Sequence, residues 1–258
     1  MLPEDMPAEP ELSAPVESPG ADALTAFEPP KRREPFWGYQ DLAIVLGLMF
    51  AGMALIVIGA AAATFVWPRL KEDPVPLLLP SNLAMYLVLL LVFKFVFSSR
   101  YGQPVLLSLG WRMRSASVLA YAAFAGIALP FVISGIGYVL HTPKVSTPMD
   151  KIPDSVPLAL MAVVLAPFFE ELFFRGFLQP LLTRTFGVIL GILVTAGLFG
   201  SLHAAEYSFV WQYVVAIGIV GIALGIVRAW TNSIVPTTVM HGCFNGLQVL
   251  AVAFTKHH

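Results

Sequence analysis

Phe168-Phe169-Glu170-Glu171-Leu172-Phe173-Phe174-Arg175-Gly176-Phe177: ten residues of an otherwise apolar run carry two carboxylates and a guanidinium. A charge at the centre of a bilayer helix costs about 2.5 kcal/mol or more, so charges there are rare and tied to function. Helical spacing divides the three. Glu171 and Arg175 stand four apart with the acid N-terminal, the favourable order for an ion pair on one helix face. Glu170 is rotated by about 100° from Glu171 and has no cation on its own face. It must find partners across a bundle, and a buried carboxylate without a fixed cation can act as a general base or acid. Both acids simply neutralising Arg175 is the plainer reading. It suits Glu171 well and Glu170 poorly, because two acids facing one base leave a charge over.

The rest of the chain explains where such a helix sits. Of 258 residues, 57% are hydrophobic and 12% charged, against about 25% charged in a soluble domain. Long uncharged runs point to a membrane protein. A net charge of -1 gives no argument for a nucleic-acid partner. The single cysteine, Cys243, excludes an internal disulfide and makes a structural zinc site improbable on donor count. Residues 1–35 are rich in Pro, Glu, Ala and Ser, cannot bury enough apolar surface to fold, and read as a disordered tail without a signal peptide. Lys31-Arg32-Arg33 followed by Phe36, Trp37 and Tyr39 reads as a basic anchor and an interfacial aromatic belt.

About 20 apolar residues are needed per crossing. The sequence predicts an all-α polytopic transmembrane bundle of about seven spans, 41–67, 79–98, 116–141, 157–182, 186–204, 208–229 and 234–254. Residues 36–156 would form the N-terminal helices. Within them, Pro104–Trp111 is too short to cross and is expected to lie along the interface. Residues 157–254 would form the catalytic core. With the N-terminus in the cytoplasm of a bacterial-type cell membrane, Lys31, Arg32, Arg33, Arg100, Arg112, Arg114, Arg184 and Arg228 fall inside. Arg69, Lys71, Lys144, Lys151 and Lys256 fall outside, a bias of eight to five. Gly187/Gly191 and Gly221/Gly225 form GxxxG pairs, read as packing faces without chemistry.

Few polar groups remain inside the spans. His203 closes the fifth, with Phe199 one turn earlier; His241 and Asn245 share one face of the seventh. Imidazole and carboxamide are donors able to hold an oxyanion, and His203 can share a water with Glu170. Pro167, three residues before Glu170, can kink its helix and leave a carbonyl unpaired, although ordinary transmembrane prolines are as common. Together these groups suit amide hydrolysis by an activated water, without a cofactor or resident metal. Metal binding by Glu170, His203 and His241 is the chemical alternative. There is no HExxH pair and no nucleophile elbow around Ser201. A non-catalytic scaffold or immunity-type protein is the rival from another class, and the absence of an internal repeat disfavours a transporter.

At these residues the chain resembles the CPBP (Abi) family of intramembrane glutamic endopeptidases, which includes the type II CAAX prenyl endopeptidases. The family's EExxxR motif stands as Glu170-Glu171-Leu172-Phe173-Phe174-Arg175, its FxxxH as Phe199 to His203, and its HxxxN as His241 to Asn245. The resemblance covers roughly residues 157–250. It implies that Glu170 and His203 activate the water, that His241 and Asn245 form the oxyanion hole, and that Glu171 and Arg175 support them. It also implies a bilayer environment and a peptide or protein substrate, lipid-anchored in the best-known members. One conflict follows from the boundaries above: counted from opposite faces, Glu170 falls near mid-depth and His203 nearer the outer face.

Overall fold

The computed structural model describes residues 35–72, 75–145 and 155–256. The tail, 1–34, lies outside the described residues. Those described form an all-helical bundle. Helix α1 spans Tyr39–Val66, α2 Arg69–Glu72 and α3 Val75–Phe93, the last running on through a π turn, Lys94–Ser99. After the short α4, Val105–Ser108, comes α5, Ala116–Val139. A long helical run, Val156–Leu202, contains α6 (Val156–Leu160), α7 (Ala166–Glu171) and α8 (Gln179–Leu202), separated by π turns. Helices α9, Trp211–Thr231, and α10, Val235–Lys256, complete the chain.

Among the described residues, five helical runs are long and apolar enough to cross a membrane. Two differences separate that number from the seven expected. Helix α10 carries the polar groups Thr237, Thr238, His241, Asn245 and Gln248, which lower its hydropathy. The long run also counts once although it turns back on itself. Gly187 sits at φ 81°, ψ 170° inside α8, a conformation open essentially to glycine alone. Phe174 and Phe199 stack edge to face with centroids 5.0 Å apart. In a straight helix those 25 residues would separate them by about 37 Å. The run is therefore a helical hairpin with Gly187 at its tip.

The hairpin removes the depth conflict. Glu170 lies seventeen positions before Gly187 and His203 sixteen after it, so both are about 25 Å from the tip, at similar height. The return arm, 188–202, is only about 22 Å long. It stops short of a full crossing of about 30 Å and delivers His203 where the helix ends.

The glycine pairs divide accordingly. Gly187 is the turn and has nothing within 4 Å of its Cβ position, so it is no packing residue. Gly221 and Gly225 do pack, with Cβ positions 3.0 Å from Ala196 and 2.9 Å from Ile192, bringing α9 against the return arm. One N-terminal expectation also changes. Trp37 is 3% exposed and donates its indole N–H to the Phe177 carbonyl at 3.1 Å. It plugs the core together with Phe36, Phe93 and Phe97, because its N–H meets a backbone acceptor there, and does not form a belt. Pro104–Trp111 is too short to cross, leaves Leu106 and Leu107 exposed, and turns Leu109 fully into the core. A Cβ at Gly176 would lie 2.9 Å from the Leu109 carbonyl, so glycine there admits the plug.

Asp41, buried at the start of α1, accepts from the Gly38 N–H at 2.9 Å and the Tyr101 hydroxyl at 2.7 Å and pairs with Arg100 at 3.3 Å. This cluster ties α1 to the end of α3.

Replacing Gly187 by valine is expected to destabilise the protein by about 1–3 kcal/mol through backbone strain alone, since there is room for the side chain. A lowered melting temperature in detergent, with Gly59→Val as the exposed helical control, checks this; equal melting of the two variants would contradict the hairpin geometry.

Candidate active site

Arg175 is fully buried. Its Nη1 donates to Glu171 Oε1 at 2.8 Å and its Nη2 to the Gly221 carbonyl of α9 at 3.1 Å. Its guanidinium carbon lies 4.5 Å from the centroid of the Phe199 ring, a cation–π contact that supplies part of the stabilisation water cannot give. One turn on, Gln179 Nε2 donates to the Gly225 carbonyl at 2.9 Å. Two side chains four apart thus read two glycine carbonyls four apart.

Glu171, also fully buried, accepts a second contact from His241 Nδ1 at 3.1 Å. A carboxylate only accepts, so Nδ1 carries the proton. The other ring nitrogen, Nε2, then faces Glu170, 3.8 Å from Oε2. That separation is beyond a hydrogen bond. Glu170 Oε2 is buried with no hydrogen-bond partner, while the side chain as a whole remains 27% exposed. The two glutamates of the motif therefore have different surroundings: Glu171, fully buried, takes both Arg175 and His241 on Oε1, whereas Glu170 makes no hydrogen bond through Oε2 and stays part-exposed beside the imidazole.

His203 caps α8 and directs Nδ1 to the carbonyl of Phe199 at 2.8 Å. A carbonyl accepts, so Nδ1 is again the protonated nitrogen and Nε2 is the one left for chemistry. Phe199 is the common neighbour of the cluster. Its ring lies 4.7 Å from His203 and 5.8 Å from His241, under the Arg175 guanidinium. The motif phenylalanine thus spaces the two imidazoles and the cation.

Asn245 lies one turn beyond His241, and its Nδ2 donates to the Ala162 carbonyl at 2.9 Å. That carbonyl is free for a reason. In the π turn Met161–Leu165 the Ala166 N–H bonds Met161, five residues back, so the partner due to Ala162 is residue 167, a proline without an N–H. The carbonyl released by Pro167 is thus captured by Asn245. The same device recurs one π turn later. Gln179 N–H bonds Phe174 in the turn Leu172–Leu178, Pro180 cannot serve the Arg175 carbonyl, and Arg228 Nε does so at 2.9 Å. Arg228 was assigned to a cytoplasmic loop; it is buried in the last turn of α9 because this carbonyl holds it there.

Three groups went unrecognised in the sequence. Tyr86 of α3 stacks face to face on Phe169 at 4.3 Å and lies within electrostatic reach of Glu170. Arg228 read as a loop charge. Glu206 sits on the 3-10 turn Ala204–Tyr207 directly after His203; the HxxE spacing was its one signal. Glu206 is exposed, yet surrounding protein shields its carboxyl and pushes it above the ordinary carboxylate range. His203 opposes that shift and Glu170 adds to it. Among the described residues, no three His, Cys, Asp or Glu side chains converge so as to hold a metal ion. Ser201 is exposed and donates back to Gly197 at 2.8 Å, away from the cluster.

The different surroundings of the two acids are open to test by stability. Glu171→Gln strands the buried Arg175 and is expected to cost about 3–5 kcal/mol, whereas Glu170→Gln removes no hydrogen bond and should melt within about 0.5 kcal/mol of wild type. Melting curves of both variants in one detergent check the contrast, and equal destabilisation would refute it.

Residues 152–247 match the family description "Type II CAAX prenyl endopeptidase Rce1-like". No curated protein and no solved structure matches the chain. The matched segment contains the hairpin, the return arm ending in His203, all of α9 and α10 as far as Asn245. Over residues 152–247, then, this membrane chain carries a Rce1-like type II CAAX prenyl endopeptidase family domain.

Proposed function

We propose that the protein is an intramembrane endopeptidase in which Glu170 and His203 activate a water that attacks a peptide carbonyl. The observation that carries this reading is the carboxyl of Glu170, part-exposed and 3.8 Å from the His241 imidazole, while the Arg175 guanidinium is hydrogen-bonded to Glu171 instead. A water held by Glu170 and by His203 Nε2 would give one proton to Glu170 as its oxygen bonds the carbonyl carbon. Glu170 then passes that proton to the leaving nitrogen as the C–N bond breaks. His241 and Asn245 stabilise the oxyanion. Asn245 keeps one amide N–H beyond the bond to Ala162. His241 donates from Nε2 when it carries both protons, and the cluster is then neutral: two carboxylates, a guanidinium and an imidazolium. Glu171 and Arg175 orient His241 and hold the hairpin against α9.

A lipid-anchored peptide end suits the surroundings. On the opposite face of α10 from the site, a groove of about 530 Å³ is lined by Ile127, Val163, Val239, Gly242, Cys243 and Leu247. Its apolar lining would take an aliphatic chain. The N-terminus is assigned to the cytoplasm from the basic anchor at 31–33 and the remaining loop charges.

Glu170→Gln and His203→Ala are each expected to lower cleavage of an internally quenched, farnesylated CAAX peptide by about 10²-fold or more, with insertion and melting retained. Wild-type turnover by Glu170→Gln would remove its assigned role, and loss of stability without loss of turnover would favour a scaffold. For orientation, alkaline phosphatase fused after Lys256 should be active in a bacterial host; an inactive fusion would reverse the assignment.

A further inference from the structure

Both bilayer interfaces are marked on α9. Trp211 opens the helix, Trp230 stands one residue before its end, and both rings are exposed. Their nineteen-residue separation spans about 28 Å, close to the thickness of the hydrocarbon. Other aromatic residues gather at the Trp211 end. Tyr207 stacks on Tyr213 at 4.7 Å, and Tyr213 donates to the Pro143 carbonyl just past α5 at 3.1 Å. The N-terminus belongs to the Trp230 end: Tyr39 donates to Thr185 at 2.7 Å, beside the hairpin tip.

Two hydrogen bonds fix the depth of the site between these interfaces. Arg175 donates to the Gly221 carbonyl and Gln179 to that of Gly225, each 46 positions on. The same offset places Glu170 level with Ala216, about 7 Å from the Trp211 interface and about 21 Å from that of Trp230. A Cβ at Gly200 would meet Val214 and Gly218, so His203, three residues further along the return arm, is no deeper than Glu170.

Packing differs on the two sides. Towards Trp230 the way is filled by Trp37, Phe93, Phe97, Leu109 and Phe177, all buried in one cluster. Towards Trp211 the helices part. Tyr86 on Phe169 sets the level of the site on α3, Gly52 against Val88 carries it to α1, and Gly126 against the Met240 carbonyl carries it to α5. Beyond that level, among the described residues, only Leu158, Ala162 and Val249 are buried apolar side chains. The apolar groove runs to the same side, from Ile127 and Thr238 to Gly246, Leu247 and Leu250.

We propose that substrate enters from the membrane face opposite the N-terminus and that, with the N-terminus cytoplasmic, the protein cleaves a peptide anchored in the outer leaflet. The proposal rests on the hydrolytic reading and the orientation above. A chain seated in the groove then comes from the leaflet nearer Trp211, and its peptide end has about 7 Å to descend to Glu170. A peptide presented only at the cytoplasmic face is separated from Glu170 by about 21 Å of packed protein.

Three single cysteines in a Cys243→Ser background test this without substrate: Phe186→Cys at the tip, Ser208→Cys in the loop after His203, and Glu170→Cys in the site. Phe186 and Ser208 are exposed. In spheroplasts of a bacterial host, a small membrane-impermeant thiol reagent should label Ser208→Cys and Glu170→Cys from outside, and Phe186→Cys only after permeabilisation. Glu170→Cys that reacts from the Phe186→Cys side, or from neither, would overturn the entry face. Glu170→Cys and Ser208→Cys that react together but only after permeabilisation would overturn the outer-leaflet assignment. A second readout uses the quenched farnesylated peptide carrying a charged, impermeant dye. Right-side-out vesicles of the wild-type chain should cleave it at full rate, and inside-out vesicles should show no cleavage until detergent opens them. The reverse latency would overturn the proposal. Wild-type turnover by Glu170→Gln would defeat the hydrolytic reading and leave the labelling pattern standing.

Discussion

A guanidinium shut away from water must have its N–H groups met by protein, and the position of Arg175 sets that demand at the centre of the bundle. Glu171 answers Nη1 on the same helix, the Gly221 carbonyl answers Nη2 from α9, and the Phe199 ring lies below, while Nε makes no hydrogen bond. Each answer constrains a different helix. Helix α9 must approach closely enough for a backbone carbonyl to serve, which requires Gly221 and Gly225 against the return arm. The return arm must bring Phe199 under the cation, which requires the reversal at Gly187. Helix α10 must present His241 to the remaining capacity of Glu171. With Glu171 so committed, the neighbouring Glu170 is left for other work.

Register faults extend the same logic to the backbone. A π turn followed by proline releases one carbonyl that the helix cannot reclaim, and in an apolar interior that carbonyl must be met from elsewhere. Here the two released carbonyls, Ala162 and Arg175, are met by Asn245 and Arg228 from the two last helices. The prolines therefore act as sockets for side chains of α9 and α10. They fix those helices in rotation and in height, to the tolerance of a hydrogen bond.

Much of this was legible in the residues. Composition and the apolar runs indicated a helical membrane bundle, and helical spacing alone separated Glu171 with Arg175 from Glu170. Pro167 can free a carbonyl on sequence grounds alone, but that the carbonyl is then taken by Asn245 shows only in the fold. Other features were hidden for physical reasons. Gly187 looks like any membrane glycine, because a positive φ leaves no mark on composition. Trp37 and Arg228 carry the amphipathic chemistry of interface residues and were read as such; their burial depends on backbone acceptors supplied by distant helices. Glu206 and Tyr86 belong to a loop and to a helix outside the three motifs, and only the folded chain brings them within electrostatic reach of Glu170.

The hairpin also turns the spacing between two motifs into a ruler. Glu170 and His203 stand level because their distances from Gly187 nearly match. One residue removed from either arm would shift one partner by about 1.5 Å and turn it through about 100°, swinging it off the shared face. Compensated changes, one residue from each arm at matching heights, would keep the depths equal. Length variation between the first two motifs should therefore accumulate at the tip, where residues 184–190 are exposed, while the arms keep their count.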